Sequence, residues 1–598
     1  IYAARLTSLK PKCIQTFERR ERQQQQQQQQ TSSSTDTNDN KNNNNNDSDE
    51  NTTAIVNRII ELQEDTTSFI VGTVIKDCPQ KPKINFDTNQ LYHENGLSYL
   101  GTPFDDDNDN DNNEKGKGNE KDDKNGENNK KKNEIVVESP LYSTTYCDIT
   151  NDTIVLEDES GRIELSFDPS ESTDTGISND DSTKNQKDVV QKWKLDLVTG
   201  AIVGVKGRIH LGSNVFLVED VYYPMLGPHR EVEVEEGEEE DEEEACVLLM
   251  SGLDCGGYKS NKRNSSTFLK RELVIDYITG HLSAPSSSSN GRFISRVIVA
   301  GGGCAKPIQP EHNAANSWST TATTTVTGSS SDASKKPQDQ QSKDNLLQQQ
   351  MKEMTLPIRE LDLFLSEICS NGIPVDYIPG LYDPTNANWP QRPIHECLVP
   401  NANMFTTMLY RSPNPYEACV GNKVLLGSDG LNILDLRCYL GQIKEDVDAD
   451  AMDTTGDDTV KNGKKVGEVE AVPTIKALQT SLEYNHLVPT GPCNVPTFPF
   501  EVHDPFVIEY APHVYFCGNC ESFETKLIDI HVNDGGDEDT GASTKVQQVR
   551  LICIPSFVRT GQAVLLNLKS LECNVIEFDD VVLDVDDIDG VHDEKKME

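Results

Sequence analysis

The sequence predicts a protein of mixed α/β and β class, an N-terminal closed β-barrel of the OB-fold type followed by a layered α/β domain. Three observations carry this. Short alternating strands with Gly-containing turns crowd residues 54–230. Beyond 245, apolar strands alternate with amphipathic helices. Between the two, residues 231–244 are almost wholly acidic and read as a linker.

In order, residues 1–22 read as a helical segment opening Ile1-Tyr2-Ala3-Ala4-Arg5-Leu6. Residues 23–53 are a Gln/Asn-rich insert too polar to offset the entropy of ordering, and are expected to be disordered. The barrel domain spans 54–230. A short helix is expected around Ile55, Ile59, Ile60 and Leu62, with strands at Phe69–Ile75, Thr144–Ile149, Thr153–Glu157, Arg162–Phe167, Ile202–Ile209 and Val215–Tyr223. Polar inserts at 105–133 and 169–188 interrupt it. The α/β domain spans 245–578, with inserts at 312–350 and 445–470. Its expected strands are Cys246–Met250, Arg296–Ala300, Val375–Ile378, Val424–Leu426, Phe506–Glu509, Val514–Cys517, Val549–Ile554 and Val564–Leu568. One helix carries Leu269, Leu273 and Tyr277 on one face; a second runs from Thr355 to Asn371; a third carries Ile475, Leu478 and Leu482. Residues 579–598 form an acidic tail.

Bulk properties narrow the function. The chain has 598 residues, of which only 35% are hydrophobic and 6% aromatic, so much of its length is not expected to fold. A formal net charge of −44 argues against a surface that grips phosphate throughout. No apolar run approaches the roughly 18–20 residues that span a bilayer, so no membrane partner is expected. The 15 cysteines lack framework spacing, which points to reduced thiols in cytosol or nucleus. The first residue is Ile1, not Met, so targeting is unreadable there. The barrel strands carry few aromatics and no basic run, which weakens a reading as a single-strand nucleic-acid binder.

In an open α/β sheet, ligands gather in the loops beyond the carboxyl ends of the strands. A two-metal phosphoesterase needs Asp, His and Asn there, to neutralise and clamp two cations about 3.5–4 Å apart. The calcineurin-like family supplies them as Asp-x-His, Gly-Asp-x-x-Asp, Gly-Asn-His-Asp/Glu, a later His, and Gly-His-x-His. At the corresponding places this chain has Ser251-Gly252-Leu253, Gly301-Gly302-Gly303-Cys304-Ala305, Gly380-Leu381-Tyr382-Asp383 and Gly518-Asn519-Cys520-Glu521. The degenerate positions are thus Ser251, Leu253, Gly302, Ala305, Leu381, Tyr382, Asp383, Asn519 and Glu521. One carboxylate, Asp383, survives, and is read as a turn residue before Pro384 that caps local amides.

Other signals are discounted. Cys517-x-x-Cys520 lacks a second ligand pair for zinc. Gly301-Gly302-Gly303 lacks the Lys-Ser/Thr of a phosphate loop. Cys255, Cys304 and Cys397 with His395 only imitate a Cys–His nucleophile. No cofactor is expected.

The segments Ser251-Gly252-Leu253, Pro379 to Asn386, Gln391-Arg392-Pro393-Ile394-His395, Asn414-Pro415-Tyr416, and Asp504-Pro505-Phe506 through Pro512 to Asn519 together resemble the small (second, B) subunit family of eukaryotic DNA polymerase delta. Ile1 to Leu6, Val71-Gly72-Thr73, Val155 to Glu159, Val198-Thr199-Gly200 and Phe216 to Asp220 agree. The chain departs from that pattern in its long inserts, and at Thr490-Gly491-Pro492-Cys493, where the family usually reads Thr-Ala-Pro-Asp. The resemblance implies an OB-fold joined to an inactivated phosphoesterase domain, in a nuclear, non-catalytic scaffold subunit that acts in DNA strand elongation. Its implied partners are the carboxy-terminal metal-cysteine domain of the catalytic subunit and a third, clamp-binding subunit. DNA is reached indirectly, and the zeta polymerase is a further partner by analogy. The rival readings are an active metal-dependent phosphoesterase and a single-strand-binding OB protein.

Overall fold

The computed structural model describes residues 1–32, 53–81, 145–167, 192–231 except 211 and 213, 245–257, 264–281, 294–305, 355–444, 469–533 and 544–578. The expected inserts, the linker and the tail lie outside these residues, apart from 23–32, Thr53, Glu231 and the strand residues 469–470.

The chain begins with helix α1, Tyr2–Ser32. Leu9, Cys13 and Phe17, spaced four apart, form one buried stripe. The stripe lies on the outside of the barrel, where Phe17 stacks on Phe69 at 4.1 Å and meets Tyr222 edge-on. The helix runs through Gln23–Gln30, where composition alone predicts disorder. Gln is a good helix former, and propagation is cheap once a packed segment has nucleated the helix.

The barrel strands are β1 Ala54–Val56, β2 Ser68–Asp77, β3 Thr153–Glu157, β4 Arg162–Ser166, β5 Ile202–Ile209 and β6 Val215–Tyr222, in the order β1-β2-β3-β4-β6-β5. A β2–β5 pairing closes the sheet over five strands, with β1 added at the side. Two local expectations fail. Ile55 to Leu62 forms β1 and a 3-10 turn instead of a helix. Residues 145–149 form no strand, because Asp148 turns back to accept from the amides of Thr150 and Asn151.

A two-residue bridge pairs β7 Gly227–His229 with β16 Tyr510–Ala511. The α/β domain stacks two sheets. The first contains β8 Cys246–Met250, β9 Ile294–Ala300, β10 Val375–Ile378, β11 Leu409–Arg411, β20 Gln562–Asn567 and β21 Cys573–Glu577, ordered β11-β10-β9-β8-β20-β21. The second contains β12 Tyr416–Val420, β13 Lys423–Ser428, β17 Val514–Cys520, β18 Glu524–Asn533 and β19 Thr544–Pro555, ordered β12-β13-β17-β19-β18. β8, β9, β10 and β11 run parallel, as do β13, β17 and β19. The small pair β14 Gln442–Ile443 and β15 Val469–Glu470 stands apart.

Both faces of the central strands are covered, which is why they read as unbroken apolar runs. Val247 and Leu249 face the second sheet, while Cys246, Leu248 and Met250 face helices α2, Asn264–Ile278, and α3, residues 355–370. α2 buries Arg271, Val274, Ile275 and Ile278; the expected anchor Leu269 is exposed. Val514 and Phe516 face the first sheet, while Tyr515 and Cys517 face helices α4, Leu431–Tyr439, and α5, Thr474–Glu483. That last core cluster runs on without a break into the barrel interior. Phe506–Glu509 is a loop with one bridge, Val507 to His486, since Pro505 lacks a donor and Asp504 folds back onto the Phe506 amide.

A buried polar node ties the parts together. The Arg5 guanidinium donates to Asp504 at 3.0 Å, to the carbonyls of Gly200 and Pro489 at 2.8 Å, and to that of Gly491 at 3.1 Å. Asp504 also meets His486 Nε2 at 3.0 Å.

Candidate functional site

The carboxyl ends of β8, β9, β10, β13, β17 and β19 converge at one end of the double sheet. This is where the degenerate positions fall, and the loops there close on one another. The Gly252 amide donates to the Gly301 carbonyl at 3.0 Å, and Asp254 N to Gly302 O at 3.0 Å. Across the sheets, Phe557 N and Val558 N donate to the carbonyls of Ser251 and Gly252 at 2.8 and 2.9 Å. Ser251, fully buried, donates its hydroxyl to the Pro555 carbonyl at 3.0 Å and accepts from Asn519 N at 2.8 Å. Asn519 Nδ2 donates to the Asp429 carbonyl at 2.9 Å.

The approach is too close for side chains. Gly301 has φ +75°, and a Cβ there would stand 2.3 Å from Asp429 Cβ. Gly302 has φ +68°, and its Cβ would meet the Asn519 side-chain oxygen at 2.6 Å and Gly252 Cα at 2.9 Å.

Asp383 is buried, and its oxygens are occupied by three backbone amides: Gly380 N at 2.7 Å, Cys304 N at 2.7 Å and Gly303 N at 3.3 Å. The carboxylate staples the β10 loop to the β9 loop. Burial raises its pKa, and the amides only partly offset that. A second carboxylate, Asp429, lies at the end of β13. Its Oδ1 accepts from Asn414 Nδ2 at 2.9 Å and from Leu431 N at 3.3 Å. Burial holds its pKa up at about 6, and the charge of Asp383 adds to that. Neither carboxylate makes an ion pair among the described residues.

The other predicted positions scatter around this centre. Leu253 and Ala305 are buried; Leu381 packs against the core shared with the barrel. Tyr382 is half-buried, and burial raises its phenol pKa. Glu521 is exposed. Sequence reasoning misses Asp429 and Asn414 as members of the centre. The available signal is the turn Gly427-Ser428-Asp429-Gly430 after a strand, of the same kind as the others. His395 does approach Cys397, Nδ1 to Sγ at 3.0 Å, but as the cap of an exposed turn two residues away; Cys255 and Cys304 are buried elsewhere.

Among the described residues, one group of three side chains could hold a metal ion: Cys517, Cys520 and Cys553. No described helix is long and apolar enough to cross a membrane.

Fold and site together define a two-domain protein, an OB barrel welded to an α/β domain whose strand-end loops are hydrogen-bonded to one another. Residues 1–221 match the family model for the OB-fold domain of the DNA polymerase delta subunit, and residues 268–525 match that for the B-type subunit of DNA polymerases alpha and epsilon. The chain is 30% identical over 429 residues to the DNA polymerase delta small subunit of Arabidopsis thaliana, covering 72% of this chain and 73% of that one. It is 29% identical over 430 residues to the small subunit of Oryza sativa subsp. japonica, covering 72% and 74%. It is 23% identical over 441 residues to that of Saccharomyces cerevisiae, covering 72% and 71%. The chain belongs to the DNA polymerase delta small subunit family.

Proposed function

We propose that this chain is a non-catalytic scaffold subunit of a nuclear DNA polymerase delta complex, built on a phosphoesterase-type domain that has lost its metals. It bridges the carboxy-terminal metal-cysteine domain of the catalytic subunit and a third, clamp-binding subunit, and reaches DNA through them. The observation that carries this reading is the state of Asp383. Three backbone amides donate to its two oxygens, and the loops that would cradle a phosphate are bonded to each other. A hydrolase needs its carboxylates free to neutralise cations. The barrel face holding Phe69 and Tyr222 lies under α1, which speaks against base stacking there.

Two measurements test this. Co-expression with the catalytic and clamp-binding subunits yields a complex of equal stoichiometry; recovery of neither partner overturns the scaffold role. The purified chain with Mn²⁺ leaves a phosphodiester substrate intact. Hydrolysis that survives repurification and disappears in Asp383→Asn makes it an enzyme instead.

A further inference from the structure

β17 slips register against β19 between Cys517 and Cys520. Cys553 stands opposite Cys517 in the adjacent strand, so both side chains leave the sheet on the same face. The slip brings Cys520 to that face as well. All three are buried, with Sγ–Sγ separations of 3.5 Å (Cys517–Cys520) and 3.9 Å (Cys517–Cys553), and all three sulfurs lie within 4.8 Å of one another.

We propose that Cys517, Cys520 and Cys553 bind one soft, thiophilic metal ion in a trigonal plane of three thiolates, with copper(I) as the ion. The geometry supports this directly. Three points with those separations lie on a circle of radius about 2.1–2.4 Å, and a metal–thiolate bond is about 2.3 Å long. An ion at the centre reaches all three sulfurs with little movement. Thiolate sets select copper(I), zinc and iron–sulfur clusters. A structural zinc site is closed by four ligands, and among the described residues no fourth Cys, His or carboxylate belongs to this group. Three sulfurs in a dry interior suit the three-coordinate ion.

One positive charge lies next to the cluster. The Arg559 guanidinium donates to the Cys520 carbonyl at 2.9 Å. Binding balances as three thiols and one copper(I) ion giving three Cu–S bonds, with three protons leaving to solvent and no electron changing hands. The bound ion would pin the end of β17, which carries Asn519, to the end of β19, which leads directly into Ser556. Both belong to the loops that close the strand-end site.

The test uses the full chain with the exposed Cys397, Cys419 and Cys493 changed to Ser, reduced and anaerobic, titrated with copper(I) from a bicinchoninate complex. One equivalent is taken up, with a thiolate-to-copper charge-transfer band. Cys520→Ser and Cys553→Ser each weaken binding by about 100-fold or more, while Cys369→Ser leaves it unchanged. Should those variants misfold, X-ray absorption of the parent chain decides: three sulfurs at about 2.3 Å support the site. Uptake that Cys520→Ser does not alter, a coordination shell containing nitrogen or oxygen, or four-coordinate zinc bound in preference to copper overturns it.

Discussion

Replacing Arg5 by Met removes a guanidinium that four buried acceptors depend on. Three are carbonyls, of Gly200, Pro489 and Gly491; the fourth is the Asp504 carboxylate. Arg5 is 1% exposed and the Asp504 side chain 0%, so water cannot take over. Breaking a buried pair from one side costs about 3–5 kcal/mol, because the remaining charge is left without its partner. The expected loss at about pH 7.5 is in that range. A second signature comes from His486. Burial, and then the Arg5 charge, hold its pKa down at about 4, against about 6.5 when unfolded. As pH falls below the unfolded value, the unfolded state binds a proton that the folded state refuses. Stability therefore drops between these values, by about 3 kcal/mol when complete. In Arg5→Met the opposing charge is gone and Asp504 draws a proton onto His486. The folded-state pKa rises, the acid slope flattens, and the deficit of the variant narrows as pH falls toward about 5. Urea unfolding across this pH range measures it; Trp389, buried and 6.4 Å from Phe506, is a local reporter. A loss under about 1 kcal/mol near neutral pH, or a deficit that widens in acid, refutes the reasoning.

Two further outcomes follow from the strand-end loops. Gly301→Ala forces a Cβ to 2.3 Å from Asp429 Cβ at φ +75°; a loss above about 3 kcal/mol or failure to fold is expected, while Gly161→Ala, with nothing within 4 Å, stays within about 0.5 kcal/mol. Thermal melts of the pair check this, and a Gly301→Ala melt equal to that of the parent refutes it. Asp429→Asn keeps the acceptor for Asn414 and removes a charge that burial penalises. The folded carboxyl titrates near 6 and the unfolded one near 3.9, so stability rises as pH falls through this window and the penalty is fully present above it. The variant should gain about 1–3 kcal/mol at neutral pH and lose the advantage by about pH 4. An advantage that persists in acid sinks the assignment.

The strands are legible where burial writes a clear pattern: an unbroken apolar run in Cys246–Met250, buried on both faces, and apolar–polar alternation with Gly punctuation in Thr153–Glu157 and Ile202–Ile209, all three of which match their expected limits. Edge strands are not. Tyr416–Val420 and Glu524–Asn533 carry polar residues on one side, and only their partners identify them as strands. The loops of the candidate site can be found because each follows a strand, and Asp383 does cap an amide within its own turn, as its place before Pro384 suggests. That it also staples Gly303 and Cys304, 79–80 residues away, has no local signal. The cysteine triangle shows the same limit. Cys517-x-x-Cys520 is visible along the chain but lacks further ligands there; Cys553 joins it through parallel pairing, 36 residues on.

The sequence also suggests a division that the core does not keep. An acidic run separates barrel from α/β domain along the chain, yet one hydrophobic cluster joins Ile70, Leu156 and Phe216 of the barrel to Leu436, Leu478 and Tyr515 beyond it. Arg5 adds a polar clamp across the same boundary, binding Gly200 on one side and Asp504 on the other. A hinge would have to expose that shared apolar surface, at about 25 cal/mol for each Å², and strand the Arg5 charge as well. Relative motion of the two units is therefore suppressed by the interior itself. The strand-end loops follow the same logic, since their amides and carboxylates are spent on closing the body. One shared interior of this kind fits the scaffold role proposed above, which needs partners held at a fixed separation.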